Sequence, residues 1–137
     1  MTVDLEPVPE FPSDTGLCEI VNFDRSENDN SKWIELITEY LQGAKVFEIH
    51  CWNEETSWIE LALQYGRVKE DSWKYGKIIT GEITPQFLKM LLNLPKPTDT
   101  EICNKMTPFF SIFLDNGFSS EHYGTENVIR IAKRKEI

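Results

Sequence analysis

The stretch AKVFEIHCWNEETSWIEL, residues 44–61, changes its period half way along. From Ala44 to Trp52 it alternates by two: Phe47, Ile49 and Cys51 face one way, Glu48, His50 and Trp52 the other. That pattern is a strand with one buried side. Asn53 then stands where a helix N-cap would, Glu54 and Glu55 suit the positive first turn, and Trp58, Leu61, Ala62 and Tyr65 recur at helical spacing until Gly66. A helix is expected here, although Ile59, Leu61, Leu63 and Tyr65 also alternate as a strand would. A strand running straight into a helix sets the chain among mixed α and β folds.

Working outward, Ser31 reads as the cap of an earlier helix, with Trp33, Ile37, Tyr40 and Leu41 on its apolar stripe and Gly43 at its end. Before it, residues 17–23 (LCEIVNF) read as a strand apolar on both faces, hence one buried inside a sheet, followed by a polar loop at 24–31. Residues 1–16, broken by Pro7, Pro9 and Pro12, read as an extended arm. After Gly66, residues 67–83 suggest a hairpin. Thr84-Pro85 and Thr107-Pro108 both resemble helix starts. The first predicts a helix ending at Leu94. The second predicts a helix over 108–116, with a strand closed by Asn116-Gly117 as the alternative. FSSEHY and NVIRIAKR close the chain as two strands about a turn at 124–126. The sum is one α+β domain over 17–137, with a mixed or mainly antiparallel sheet of about four to six strands and three or four helices packed on it.

Charge narrows the partner class. The net charge is −9, and residues 1–60 hold 14 acidic against 3 basic side chains while the remainder is close to balanced. Such a field repels nucleic acid and anionic lipid and favours a basic protein. The one basic cluster, IAKRK at 131–135, is short and lacks interleaved aromatic residues, so no nucleic-acid partner is expected. No apolar run is long enough to span a bilayer, and the acidic, proline-broken start is unlike a secretory signal, which points to the cytoplasm. Cys18, Cys51 and Cys103 are odd in number and widely spaced, as reduced thiols would be.

Chemistry-bearing residues are few. Cys51 with His122, oriented by Asn53 or Glu121, is the available thiol–imidazole combination; His50 cannot serve Cys51, because neighbours on a strand point apart. Glu48, His50 and His122 are the available metal set, but no HxH, HExxH or CxxC spacing supports one, and no cofactor or metal is expected. The glycines are isolated, so no phosphate loop is present. Trp33 and Trp58 fit core stripes; Trp52 and Trp73, set among charges, have the composition of interface anchors.

In size, charge and aromatic content, though in no motif, the chain is similar to the small acidic immunity proteins of bacterial toxin–immunity systems. That resemblance implies a non-enzymatic inhibitor of a basic toxin or nuclease domain. The residues expected to meet the partner are Asp24, Glu27, Asp29, Glu48, His50, Trp52, Glu54, Glu55 and Trp73. The competing readings are a small enzyme or ligand-binding domain using His50, Cys51 or His122 in a pocket, and a homodimer pairing its own aromatic surface.

Overall fold

The computed structural model describes residues 18–99, 101 and 103–130. The expected arm at 1–16 and the basic cluster at 131–135 lie outside them. Seven strands and three helices follow in the order β1 (Cys18–Asn22), α1 (Ser31–Leu41), β2 (Val46–Trp52), α2 (Thr56–Leu63), β3 (Arg67–Val68), β4 (Gly76–Glu82), α3 (Pro85–Asn93), β5 (Ser111–Leu114), β6 (Phe118–Glu121) and β7 (Glu126–Arg130). The strands form a single sheet in the order β1-β7-β6-β5-β2-β4-β3, every pairing antiparallel. The α+β class is as expected, with more strands than the sequence suggests.

β2 is paired along both edges, Ile49 lying opposite Ile79 of β4 and Ile112 of β5. Its alternation sorts the whole sheet. Phe47, Ile49 and Cys51 join Ile79, Ile112, Leu114 and Phe118 on one face, all at most 1 % exposed. The three helices close that face. α1 contributes Trp33, Ile37 and Leu41, α2 Ile59 and Ala62, and α3 Phe87 and Leu91. Phe87 stacks on Phe47 at 4.1 Å and Tyr40 on Phe118 at 4.8 Å, so helices grip both halves of the sheet. Each such side chain, fully withdrawn from water, stabilises the fold by roughly 1.5–3 kcal/mol.

Local signals succeed at α3, where Thr84 Oγ1 accepts the Phe87 N–H at 3.1 Å and Pro85 takes the first helical position. They are displaced elsewhere. Ser31 is the first residue of α1 rather than its cap, and its N–H and hydroxyl both donate to Asp29 Oδ1. Asn53 does not cap α2, because its side chain donates to the Lys74 carbonyl and its N–H to that of Tyr75; Glu55 holds the cap position.

Two expectations are overturned. The helix expected at 108–116 is instead the strand β5. Thr107 is buried with no hydrogen-bond partner for its hydroxyl, so it caps nothing, and Ile112 and Leu114 enter the core with the period of a strand. Pairing with β2 and β6 satisfies backbone that a helix would have satisfied internally. The strand expected inside the sheet lies at its edge: among the described residues β1 pairs only with β7, and Ile20 is 55 % exposed.

Among the described residues no helix covers the other face of the sheet. One glycine there admits a large neighbour. Gly76 lies opposite Trp52, and a Cβ on it would collide with the Trp73 indole and the Cys51 carbonyl. Gly76→Ala is expected to destabilise the protein by about 1–3 kcal/mol and to move the Trp73 ring. Urea midpoints and indole N–H shifts matching those of the wild type would contradict this.

Candidate functional site

Alternation along β2 puts Glu48, His50 and Trp52 on the helix-free face, and the neighbouring strands build around them. Phe113 lies opposite Glu48, and Ser111 opposite His50. The turn before β4 lays Trp73 back over the same surface. The result is a band of rings in mutual contact. Trp73 meets His50 and Trp52, each at 5.6 Å; His50 meets Phe113 at 4.8 Å; Trp52 meets Phe110 at 5.0 Å; and Phe110 meets Tyr123 at 5.2 Å. Trp52, Trp73, His50, Phe113 and Phe110 are each only partly buried.

Ion pairs flank the band on both sides. Towards β3, Glu48 takes Lys69 Nζ at 2.8 Å and His50 Nε2 at 3.2 Å. Towards β7, Arg130 reaches Ser119 Oγ at 3.1 Å and Glu121 at 3.8 Å. The hydrogen bond from His50 and then that from Lys69 hold the Glu48 carboxyl below its ordinary pKa, against the opposing effect of burial.

At one end the band runs into loops. The connections after β1, β2, β3, α3 and β6 all emerge at this end. Backbone bonds tie them together, from Phe23 N–H to the Thr125 carbonyl, Tyr123 N–H to that of Phe110 and Met106 N–H to that of Tyr123. The β6–β7 turn is unusual, since His122 and Tyr123 hold positive φ (53° and 61°) ahead of Gly124 at 87°. Consecutive bulky residues in this region carry strain, sustained here by the bonds to the 106–110 segment. That backbone aims Tyr123 Oη at Glu55 Oε2, 2.6 Å away, while Glu55 Oε1 accepts the Trp52 N–H at 2.9 Å. Burial, followed by the Glu55 carboxylate, raises the Tyr123 phenol above its ordinary pKa. Lys105 Nζ rests 4.2 Å above the Tyr123 ring and pairs with Asp99.

Of the nine residues expected to contact a partner, six gather here: Glu48, His50, Trp52, Glu54, Glu55 and Trp73. Asp24, Glu27 and Asp29 do not join them. They lie in the β1–α1 loop at the same end of the sheet, where Asp24 is engaged by Ser26 and Asp29 by Ser31, bonds that depress both carboxyl pKa values. Glu27 lies 3.5 Å from Lys32. Asn104 holds this loop from within, through the Asp24 and Glu27 carbonyls.

The structure does not unite the thiol–imidazole set. Cys51 lies in the core with its thiol pushed up to about 12 by burial and then by Glu55, while His122 packs against Phe110 and pairs with Glu126. No three His, Cys, Asp or Glu side chains among the described residues converge as a metal would require. Nor is any described helix long and apolar enough to cross a membrane. Phe110, Phe113 and Tyr123 escaped the sequence reading; the alternation Ser111/Phe113 against Ile112/Leu114 is the signal that marks the first strand position. No protein-family model matches this chain, and no curated protein or solved structure resembles it significantly. Fold and site together define an α+β protein with an aromatic sheet face that no described helix covers.

Two measurements check this geometry. A carboxylate with a depressed pKa stabilises the fold above its unfolded value and ceases to do so as pH falls through the lower folded value. The advantage of wild type over Glu48→Gln should therefore be full above about pH 4.5 and fade below it; a pH-independent difference in denaturation midpoint would refute the pairing. In the native protein a thiol-specific reagent at pH 8 should modify exposed Cys18 at once and Cys51 only after unfolding.

Proposed function

We propose that this chain is a non-enzymatic acidic binding protein, an immunity or inhibitor protein that neutralises a basic toxin or nuclease domain by lying against it. The observation that carries this reading is the aromatic band on the helix-free face. Trp52, Trp73, His50, Phe113 and Phe110 form a contiguous, partly buried ring surface with ion pairs at its borders, which is the anatomy of an interface core with a polar rim. Among the described residues no second layer covers this surface, which is the character of a docking site.

Size agrees. The strands, from two to seven residues long at about 3.3 Å per residue and about 4.8 Å apart, cover roughly 540 Å². The loops at the Trp52 end would add to this toward the ~800 Å² each partner brings to a stable complex. Charge selects the partner. The net of −9, and the loops at 23–30 and 53–55 with five acidic side chains against Arg25 alone, favour a basic surface. A cytoplasmic setting suits the three free cysteines.

Charge would govern association and the aromatic anchors dissociation. Glu54 is the residue at which to alter charge, because Glu55 holds Trp52 and Tyr123 in place. The test is co-expression with the product of the neighbouring gene, which this proposal requires to be a toxic basic domain. The wild-type chain should restore growth and bind that domain with an association rate that falls as salt rises. Trp52→Ala with Trp73→Ala should abolish rescue while the circular-dichroism spectrum persists, and Glu54→Lys should slow association several-fold. Undiminished rescue by the double variant, or association indifferent to ionic strength, would sink the proposal.

A further inference from the structure

Where the aromatic band meets the loops, Trp52, Phe110 and Tyr123 wall a cavity of about 460 Å³ whose remaining lining is Glu54 and Glu55. The rings are inclined to one another, Trp52 to Phe110 by 56° and Phe110 to Tyr123 by 69°. In the core, by contrast, Phe47 lies within 4° of parallel on Phe87 and Tyr40 within 7° on Phe118, each ring hiding a face of the other. No ring of this trio is stacked face to face on another, so each keeps π-surface, of negative potential, that no parallel partner covers.

We infer that this cavity is an aromatic cage that receives an arginine side chain of the partner. The inference deepens the proposed function and rests on it. Three electron-rich rings and two carboxylates complement a cation. The protein already places one on this wall, since Lys105 Nζ lies 4.2 Å from the Tyr123 centroid without lining the cavity. The two carboxylates divide the work. Glu55 spends one oxygen on the Trp52 N–H and the other on the Tyr123 hydroxyl, so it fixes two walls. Glu54 is exposed and has no hydrogen-bond or ion-pair partner among the described residues, so it is left to meet the guest. A guanidinium stacks flat on an indole and offers a fork of N–H donors to a carboxylate at its edge, which an ammonium cannot do. The neighbouring cavity across Glu55, of about 450 Å³, is a poorer host for a cation because two lysines, Lys96 and Lys105, line it.

The test needs no partner. The intact protein is titrated with Nα-acetyl-arginine methylamide, with its neutral isostere built on citrulline, and with tetramethylammonium, following the tryptophan indole N–H signals. Arginine amide should shift the Trp52 signal saturably and leave buried Trp33 unmoved, with half-saturation about tenfold below that of the citrulline amide. Glu54→Gln, an exposed change that leaves the walls intact, should weaken arginine about fivefold. Citrulline binding as well as arginine, no saturable shift, or tetramethylammonium binding more tightly than arginine would each overturn the cage. Saturable arginine binding alongside failed toxin rescue would leave the cage standing and remove the immunity reading; the converse pair of results would do the opposite.

Discussion

The structure depends on the pairing of β2 along both its edges. Val46–Trp52 runs between β4 and β5, and its register with each is fixed by which side chains the helices bury. A slip of one residue would carry Phe47, Ile49 and Cys51 out of the core and drive Glu48, His50 and Trp52 into it. Burying a carboxylate and an imidazole against Ile37, Phe87 and Leu91 would cost far more than any strand pairing returns. One alternation therefore decides both layers: it defines the core, and it also gathers the rings and charges on the face that no described helix covers.

The open face is built by the same constraint. Antiparallel pairing sets Trp52 opposite Gly76, and the absent side chain is the space into which Trp73 folds. The opposition of Glu48 to Phe113 and of His50 to Ser111 then completes the band from β5. At the loop end the band is held by Glu55, which is bound to the Trp52 backbone and to the Tyr123 hydroxyl, groups far apart in sequence. The backbone strain at His122 and Tyr123 has a definite return, since a relaxed turn would not bring the phenol to that carboxylate.

Much of this was legible. β2, the body of α1, α3 with its Thr84 cap, and the closing hairpin follow from period and turn chemistry, and the opposed directions of His50 and Cys51 follow from the pleat. Thr107-Pro108 was misleading because the dipeptide is a local signal, and the same signal is true at Thr84-Pro85. What differs is distant: residues 111–114 have two strands waiting to pair with them, and that is invisible in a window of ten residues. β1 failed for a related reason, since apolar side chains on both faces describe an interior strand only if neighbours exist on both edges. The candidate site was half visible. Glu48, His50 and Trp52 could be placed together from alternation alone, whereas the approach of Trp73, Phe110 and Tyr123 depends on sheet order and on a glycine whose role appears only with its partner strand.

The division of carboxylates on this surface bears on how an acidic protein can bind tightly. Glu48 and Glu121 are neutralised within the chain by Lys69 and Arg130, and Glu55 is saturated by hydrogen bonds. Such groups cost less to cover than unpaired charges would, because their partners are already in place. Exposed Glu54, without a partner among the described residues, lies instead beside the cavity, where on the proposal a cation from outside would complete it. On the proposed function, a face with its charges internally balanced and its free charge at the margin would bury its aromatic centre against a partner without stranding an ion, while the net negative field would draw a basic partner in.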